Sequence, residues 1–171
     1  MYKLGDIVVH PLHGAGIIDG LESKKVLTKL VKFYIITLAD SSMDKLYVPV
    51  AKATELGLRM PNNIEIIDKI KSYLMELFHL EINNVWKEQF KILEAKVNSG
   101  NILNVCEAYK FLFHKSLKKK LGSMDRWLLK KALDIIGSEL HFITGADFKQ
   151  TKENIETWVH QSIDTSQSEV A

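Results

Sequence analysis

Several residues of this chain have types and spacings that could do chemistry. His10 and His13 flank Pro11 at a metal-like spacing, yet no cysteine or third histidine lies near them in sequence to complete a tetrahedral set. The stretch His13-Gly14-Ala15-Gly16-Ile17-Ile18-Asp19-Gly20 approaches a dinucleotide fingerprint, but Asp19 stands where the third glycine belongs and β-type residues replace the helix that should follow. These glycines read as turn residues. Cys106, the single cysteine, falls on the apolar face of a helical pattern, where a thiol is an inert core group. The carboxylates are scattered over helix surfaces and none forms a paired acid and base. No catalytic constellation, cofactor site or metal set emerges, and the expectation is a protein that is not an enzyme.

The remaining candidate is electrostatic. Residues 109–131 hold Lys110, Lys115, Lys118, Lys119, Lys120, Arg126, Lys130 and Lys131 against Asp125 alone, a net of +7, while the 40 residues that follow carry a net of −5. The formal charge of +2 for the whole chain conceals this dipole. Cations gathered around a turn at Gly122 release counterions from a phosphate backbone, which favours nucleic acid without reading its sequence. A solvated helix face would show the same composition. Trp86 has two readings as well: it could open a core stripe with Phe90, Leu93 and Val97, or project beside Lys87 and Lys91 as an apolar wedge at a base step.

The elements that must position these groups divide at Pro61. All three prolines and five of nine glycines lie in residues 1–61, where Ile7–Val9, Gly14–Ile18, Phe33–Ile36 and Leu46–Val48 are short β-type runs between turn residues. They predict a small antiparallel sheet or barrel. From residue 62 the apolar spacing is helical and about five helices are expected. Asn63 is the expected cap of the first, Gly100 a stop followed by an Asn101 cap, Gly122-Ser123 a stop and start, and Gly145 a last break before a helix containing Ile155 and Val159. The end, TSQSEVA, should fray. A chain of 171 residues can bury roughly 70% of its unfolded surface, so it needs no staples. One cysteine fits a reducing cytoplasm, and no run approaches a membrane span or a secretory signal.

Taken jointly, Lys3-Leu4-Gly5-Asp6-Ile7-Val8-Val9-His10-Pro11-Leu12-His13-Gly14-Ala15-Gly16, Leu46-Tyr47-Val48-Pro49-Val50, Leu56-Gly57-Leu58-Arg59, Trp86 through Lys91, Ser99-Gly100-Asn101, Leu121 through Arg126 and Ala132 through Leu140 resemble the CarD/CdnL family of bacterial transcription regulators. The resemblance covers about residues 2–145. It implies a two-domain α+β protein: a Tudor-like, SH3-like β domain over residues 1–61 that docks on the RNA polymerase β subunit, and an all-helical domain over residues 62–171 that contacts promoter DNA. The expected partners are the polymerase with its housekeeping sigma factor and DNA just upstream of the melted −10 region, for a monomer working in the cytoplasm at the nucleoid. Trp86 takes the family's wedge position in the minor groove. Lys91, Arg126 and Lys131 match its cations, and Lys87, Lys118, Lys119, Lys120 and Lys130 are further backbone contacts. Glu88, Gln89, Trp127 and Leu133 stand where members often carry basic residues. Lys24 and Tyr47 fall at polymerase-docking positions. The expected activity is stabilisation of the open promoter complex; the alternative is an adaptor whose helical domain binds protein instead of DNA.

Overall fold

The β-type runs before Pro61 form four strands, β1 (Ile7–His10), β2 (Gly14–Val26), β3 (Lys29–Leu38) and β4 (Leu46–Pro49), each antiparallel to the next in the order β1-β2-β3-β4. The computed structural model describes residues 1–40, 45–78 and 86–167, excepting the side chains of Trp86 and residues 164–167. Two features depart from the sequence pattern. The register slips between Ile18 and Gly20, so Asp19 is an extra residue on β2, and this bulge breaks the alternation. Pairing of β2 with β3 also continues out to Val26 opposite Lys29, well past the apolar runs. Every residue from Leu21 to Leu30 is exposed, so no core imposes a two-residue period on that arm.

The sheet closes over Val8, Ile18, Tyr34, Ile36, Leu38, Val48, Ala53 and Leu58. Tyr2 seals the edge, its backbone N–H donating to the Tyr34 hydroxyl at 3.1 Å and its own hydroxyl donating to the Leu58 carbonyl at 2.7 Å.

Five helices follow: α1 (Ile66–Met75), α2 (Trp86–Val97), α3 (Ile102–Lys118), α4 (Ser123–Thr144) and α5 (Phe148–Gln167). The architecture is two-domain α+β. Asn101 caps α3, its side chain accepting from the Leu103 N–H at 2.9 Å, and α4 ends at a left-handed Gly145. Asn63 does not cap α1. The chain instead turns through backbone bonds from Ile66 N–H to Asn63 O and Ile67 N–H to Ile64 O, and the helix starts after Glu65 with no side-chain cap. The helical core gathers Ile70, Leu74, Phe90, Val97, Cys106, Tyr109, Leu112, Leu128, Ile136, Ile155 and Val159 around α3 and α4. Burial of Cys106 pushes its thiol well above the usual range, as an inert core residue requires. The expectation for the terminal TSQSEVA falls largely outside the described residues. Among those described, no helix is long and apolar enough to cross a membrane.

The two cores are joined by a polar clasp. Arg59 pairs with Val9 at the sheet edge and sends both terminal nitrogens to the Glu139 carboxylate of α4, each at 2.8 Å. Glu139 is 1% exposed and also accepts the Asn62 backbone N–H and side-chain amide, at 2.9 and 2.7 Å. Beside it, the Ala15 N–H donates to the Ser138 hydroxyl at 2.8 Å. Gly14, at φ +79°, lies so close that a Cβ there would sit 2.3 Å from that hydroxyl. Of the glycines that approach a nucleotide motif, Gly14 thus lets the β1–β2 turn lie flat on α4, while Gly16 lies close against Thr37 and Ile36 of β3. His10 belongs to the same joint: it is buried, its Nδ1 accepts the Leu12 N–H at 3.1 Å, and burial, with His13 and Lys131 nearby, lowers its pKa to about 4.

Candidate nucleic-acid interface

The eight cations of residues 109–131 do not share one fate. Lys110 lies four residues after Cys106 and Lys115 three after Leu112 on α3, a helix packed on several sides, and both lysines are buried beside these core positions. The Lys110 ammonium donates to the carbonyls of Tyr73 and Glu76, at 2.6 and 2.7 Å, and so caps the C-terminus of α1, where the helix dipole favours a cation. Desolvation lowers its pKa. Lys115, in the last turn of α3, pairs at 2.7 Å with Asp125 in the first turn of α4, and both are largely buried. Each charge sits at the helix end that suits its sign, and the pair fixes the turn between the helices. Leu121, also buried, pins the turn from below.

What this clamp holds out is a short basic rim. Lys118, Lys119, Lys120, Arg126 and Lys130 are all exposed, and among the described residues none of the five enters an ion pair. Lys131 is half-buried: it donates to the Asn98 side-chain oxygen at 2.8 Å and stands 5.1 Å from the Trp127 ring centroid, and desolvation lowers its pKa. It ties α4 to the end of α2 before it can serve any ligand.

Helix α2 runs antiparallel to α3. Lys96 near its end pairs with Glu107 near the start of α3, while Gln89 and Ile92 share a cavity with Phe111 further along. The start of α2 therefore lies at the same end of the bundle as the Lys118–Lys120 turn and the start of α4. Lys87 and Lys91 are exposed there with Glu88, and Phe90, Leu93 and Val97 face the core. Trp86 opens α2, but its side chain lies outside the described residues, so the choice between wedge and core falls outside them too.

On the sheet, the two docking positions are brought together. The Lys24 ammonium sits 3.7 Å from the centroid of the Tyr47 ring, and Phe33 meets that ring edge-on with centroids 6.4 Å apart. Sequence reading missed the exposed arm beyond this pair, where Leu27 is 92% exposed at φ 56° and Leu30 is exposed beside it. It also missed the clasp. The signal for the clasp was present: Glu139 interrupts an otherwise apolar stripe with Ile136 and Leu140, and an acid on such a stripe needs a buried partner.

Comparison with known proteins gives two matches along the chain. Residues 2–60 match the CarD-like/TRCF RID domain, and residues 73–156 match the CarD C-terminal domain. The chain is also 30% identical over 155 residues to a Bacillus subtilis (strain 168) protein named "Putative transcription factor YdeB", an alignment that covers 89% of this chain and 98% of that protein. With both domains matched in order and a relative aligned over nearly its whole length, the chain belongs to the CarD-like family of transcription factors.

Proposed function

We propose that this protein is a non-enzymatic transcription regulator that bridges RNA polymerase and promoter DNA and favours the open complex. In this reading residues 1–61 dock on the β subunit of the sigma-bearing holoenzyme through the face carrying Lys24 and Tyr47. Residues 62–171 meet DNA at the upstream edge of the −10 bubble, with the protein monomeric and held at the nucleoid by its partner. The observation that carries the reading is the basic rim of Lys118, Lys119, Lys120, Arg126 and Lys130 at the end of the bundle where α2 begins with Trp86, Lys87 and Lys91. The match of residues 2–60 to the CarD-like/TRCF RID domain supports the docking half.

The energetics divide between two kinds of contact. A factor shifts the closed-to-open equilibrium only by its difference in affinity for the two states. Lysines on upstream duplex phosphates act equally in both and raise occupancy. A Trp86 wedge at the bubble edge forms fully only once the strands part, and so supplies the difference. Trp86→Ala is expected to leave folding and polymerase binding intact and to shorten open-complex lifetime. Early melting of this variant would assign Trp86 to the core and remove the wedge. Binding to a fork-junction DNA at two salt concentrations, with and without polymerase, tests the DNA half; salt-insensitive or absent binding in both cases would favour a protein-binding adaptor.

A further inference from the structure

Trp127 stands 52% exposed on the second turn of α4, within the basic rim. Lys130 and Lys131 are its neighbours at i+3 and i+4, and Arg126 precedes it. Its ring forms one wall of a groove of about 470 Å³ between the β1–β2 turn and α4, lined further by Leu12, His13, Lys130, Ile135 and the half-buried Asp40. Asp134, also on this groove, is engaged by Lys152 at 3.0 Å. Lys131 is held by Asn98 and lies against the indole, so the ring is braced on one side before anything binds. A half-exposed indole on a helix forgoes much of the burial that makes tryptophan stabilising. The groove beside it combines an apolar floor with a cationic border continuous with Lys118–Lys120.

We propose that Trp127 is a DNA-contacting residue. Its indole packs flat against the sugar or base edges of a strand whose phosphates are held by Arg126, Lys130 and the Lys118–Lys120 turn. The inference rests on the DNA reading above and deepens it. Charge complementarity selects the occupant: the exposed charged side chains beside the ring, Arg126 and Lys130, are cations, whereas the acids of the groove, Asp40 and Asp134, are half-buried and Asp134 is engaged by Lys152, so a polyanion with flat apolar faces suits the ring and its border. An uncharged indole releases no counterions, so its contribution is independent of salt, whereas that of its neighbours is not. Aromatic contacts to single bases are typically worth about 5- to 100-fold in affinity by alanine substitution.

The test is the affinity of the full chain for a fork-junction DNA over a series of salt concentrations. Trp127→Ala should weaken binding about 5- to 100-fold at every salt and leave the slope of log affinity against log salt unchanged. Trp127→Phe should recover most of the loss. Lys120→Ala should instead flatten the slope by about one. If Trp127→Ala binds within twofold of the wild type while Lys120→Ala flattens the slope, the DNA reading stands and the role of Trp127 is overturned. If the wild type shows no salt-sensitive binding, the DNA reading fails first and the inference falls with it. Should Trp127→Ala misfold, fluorine NMR of the 5-fluorotryptophan-labelled wild type decides. The Trp127 resonance, assigned by Trp127→Phe, shifts on DNA addition if the ring makes contact, and an unmoved resonance refutes the contact.

Discussion

Replacing Glu139 probes the joint on which both halves depend. Its carboxylate is 1% exposed and accepts four hydrogen bonds: two from Arg59, one from the Asn62 backbone and one from the Asn62 amide. Removing one partner of a buried ion pair costs about 3–5 kcal/mol, because the other charge stays behind uncompensated. Here the stranded guanidinium is 30% exposed and keeps the carbonyls of Met60 and Gly100, so water and backbone recover part of its solvation. That places Glu139→Ala near the bottom of the range, about 3 kcal/mol. Glu139→Gln preserves shape and an acceptor but loses the charge, which suggests about 2 kcal/mol. At this chain length 3 kcal/mol corresponds to a fall in Tm of about 6–12 °C. Urea unfolding followed by two probes is the assay. All three tryptophans lie beyond Pro61, so their fluorescence reports the helices, while amide exchange at Val8 and Tyr34 reports the sheet. In the wild type the two should unfold together, and in Glu139→Ala they should separate because the link between the cores is cut. A variant within about 0.5 kcal/mol of the wild type, with coincident probes, would refute the clasp as the coupling element.

Other outcomes follow from the same geometry. Gly14→Ala forces a Cβ to within 2.3 Å of the Ser138 hydroxyl at a left-handed φ, and should cost about 2–4 kcal/mol by thermal or urea unfolding. Gly122→Ala, where nothing lies within 4 Å, meets no clash and should cost only about 0.5–1 kcal/mol, the penalty of alanine at the N-cap of α4. The His10 value of about 4 lies below that of an unfolded imidazole, so protonation favours the unfolded chain. The stability His10 contributes is therefore full above about pH 6.5 and is lost as the pH falls toward 4. Between pH 7 and pH 5 the loss is about 2 kcal/mol, and His10→Asn should remove it from the measured pH dependence; an unchanged dependence would refute the assignment. Lys110→Met strips the cap from α1 and should destabilise by about 2 kcal/mol in urea unfolding, whereas Lys118→Ala, at the exposed end of α3, should not.

What could be read in advance follows from where physical constraints are local. The stops at Gly100 and Gly145 and the cap at Asn101 depend on a few adjacent residues, and the structure reproduces them. The start of α1 does not: its backbone turns at Asn63 and Ile64 take the bonds that a side-chain cap would make. The arm from Leu21 to Leu30 escaped because strand patterning reports burial, and both of its faces meet solvent. Charge counting gave +7 over eight cations, of which the six that bracket Gly122 were expected on DNA, but it assigned no place to Lys110 and Lys115. Their burial follows from α3 being packed on several sides: Lys110 lies four residues after Cys106 and Lys115 three after Leu112, and a lysine beside such core positions must be paired or capping. The clasp joins positions 80 apart in sequence, and only the three-dimensional fold brings Arg59 to Glu139.

The joint also constrains how the proposed bridge would work. If the sheet and the helix bundle moved independently, docking one on polymerase would only raise the local concentration of the other near DNA, as a flexible tether does. The Arg59–Glu139–Asn62 network and the Ala15–Ser138 bond leave little such freedom. The basic rim is then carried at a set distance and orientation from Lys24 and Tyr47. Its contacts form without a further loss of rotational freedom, and a strand offered in the wrong register is not followed. Loosening the joint should therefore act on promoter opening rather than on partner affinity. Gly14→Ala, at a temperature where both domains remain folded, is expected to keep wild-type binding to the isolated polymerase and to fork-junction DNA taken separately, while open-complex lifetime falls. Equal open-complex lifetimes for the variant and the wild type would mean that the joint serves stability alone.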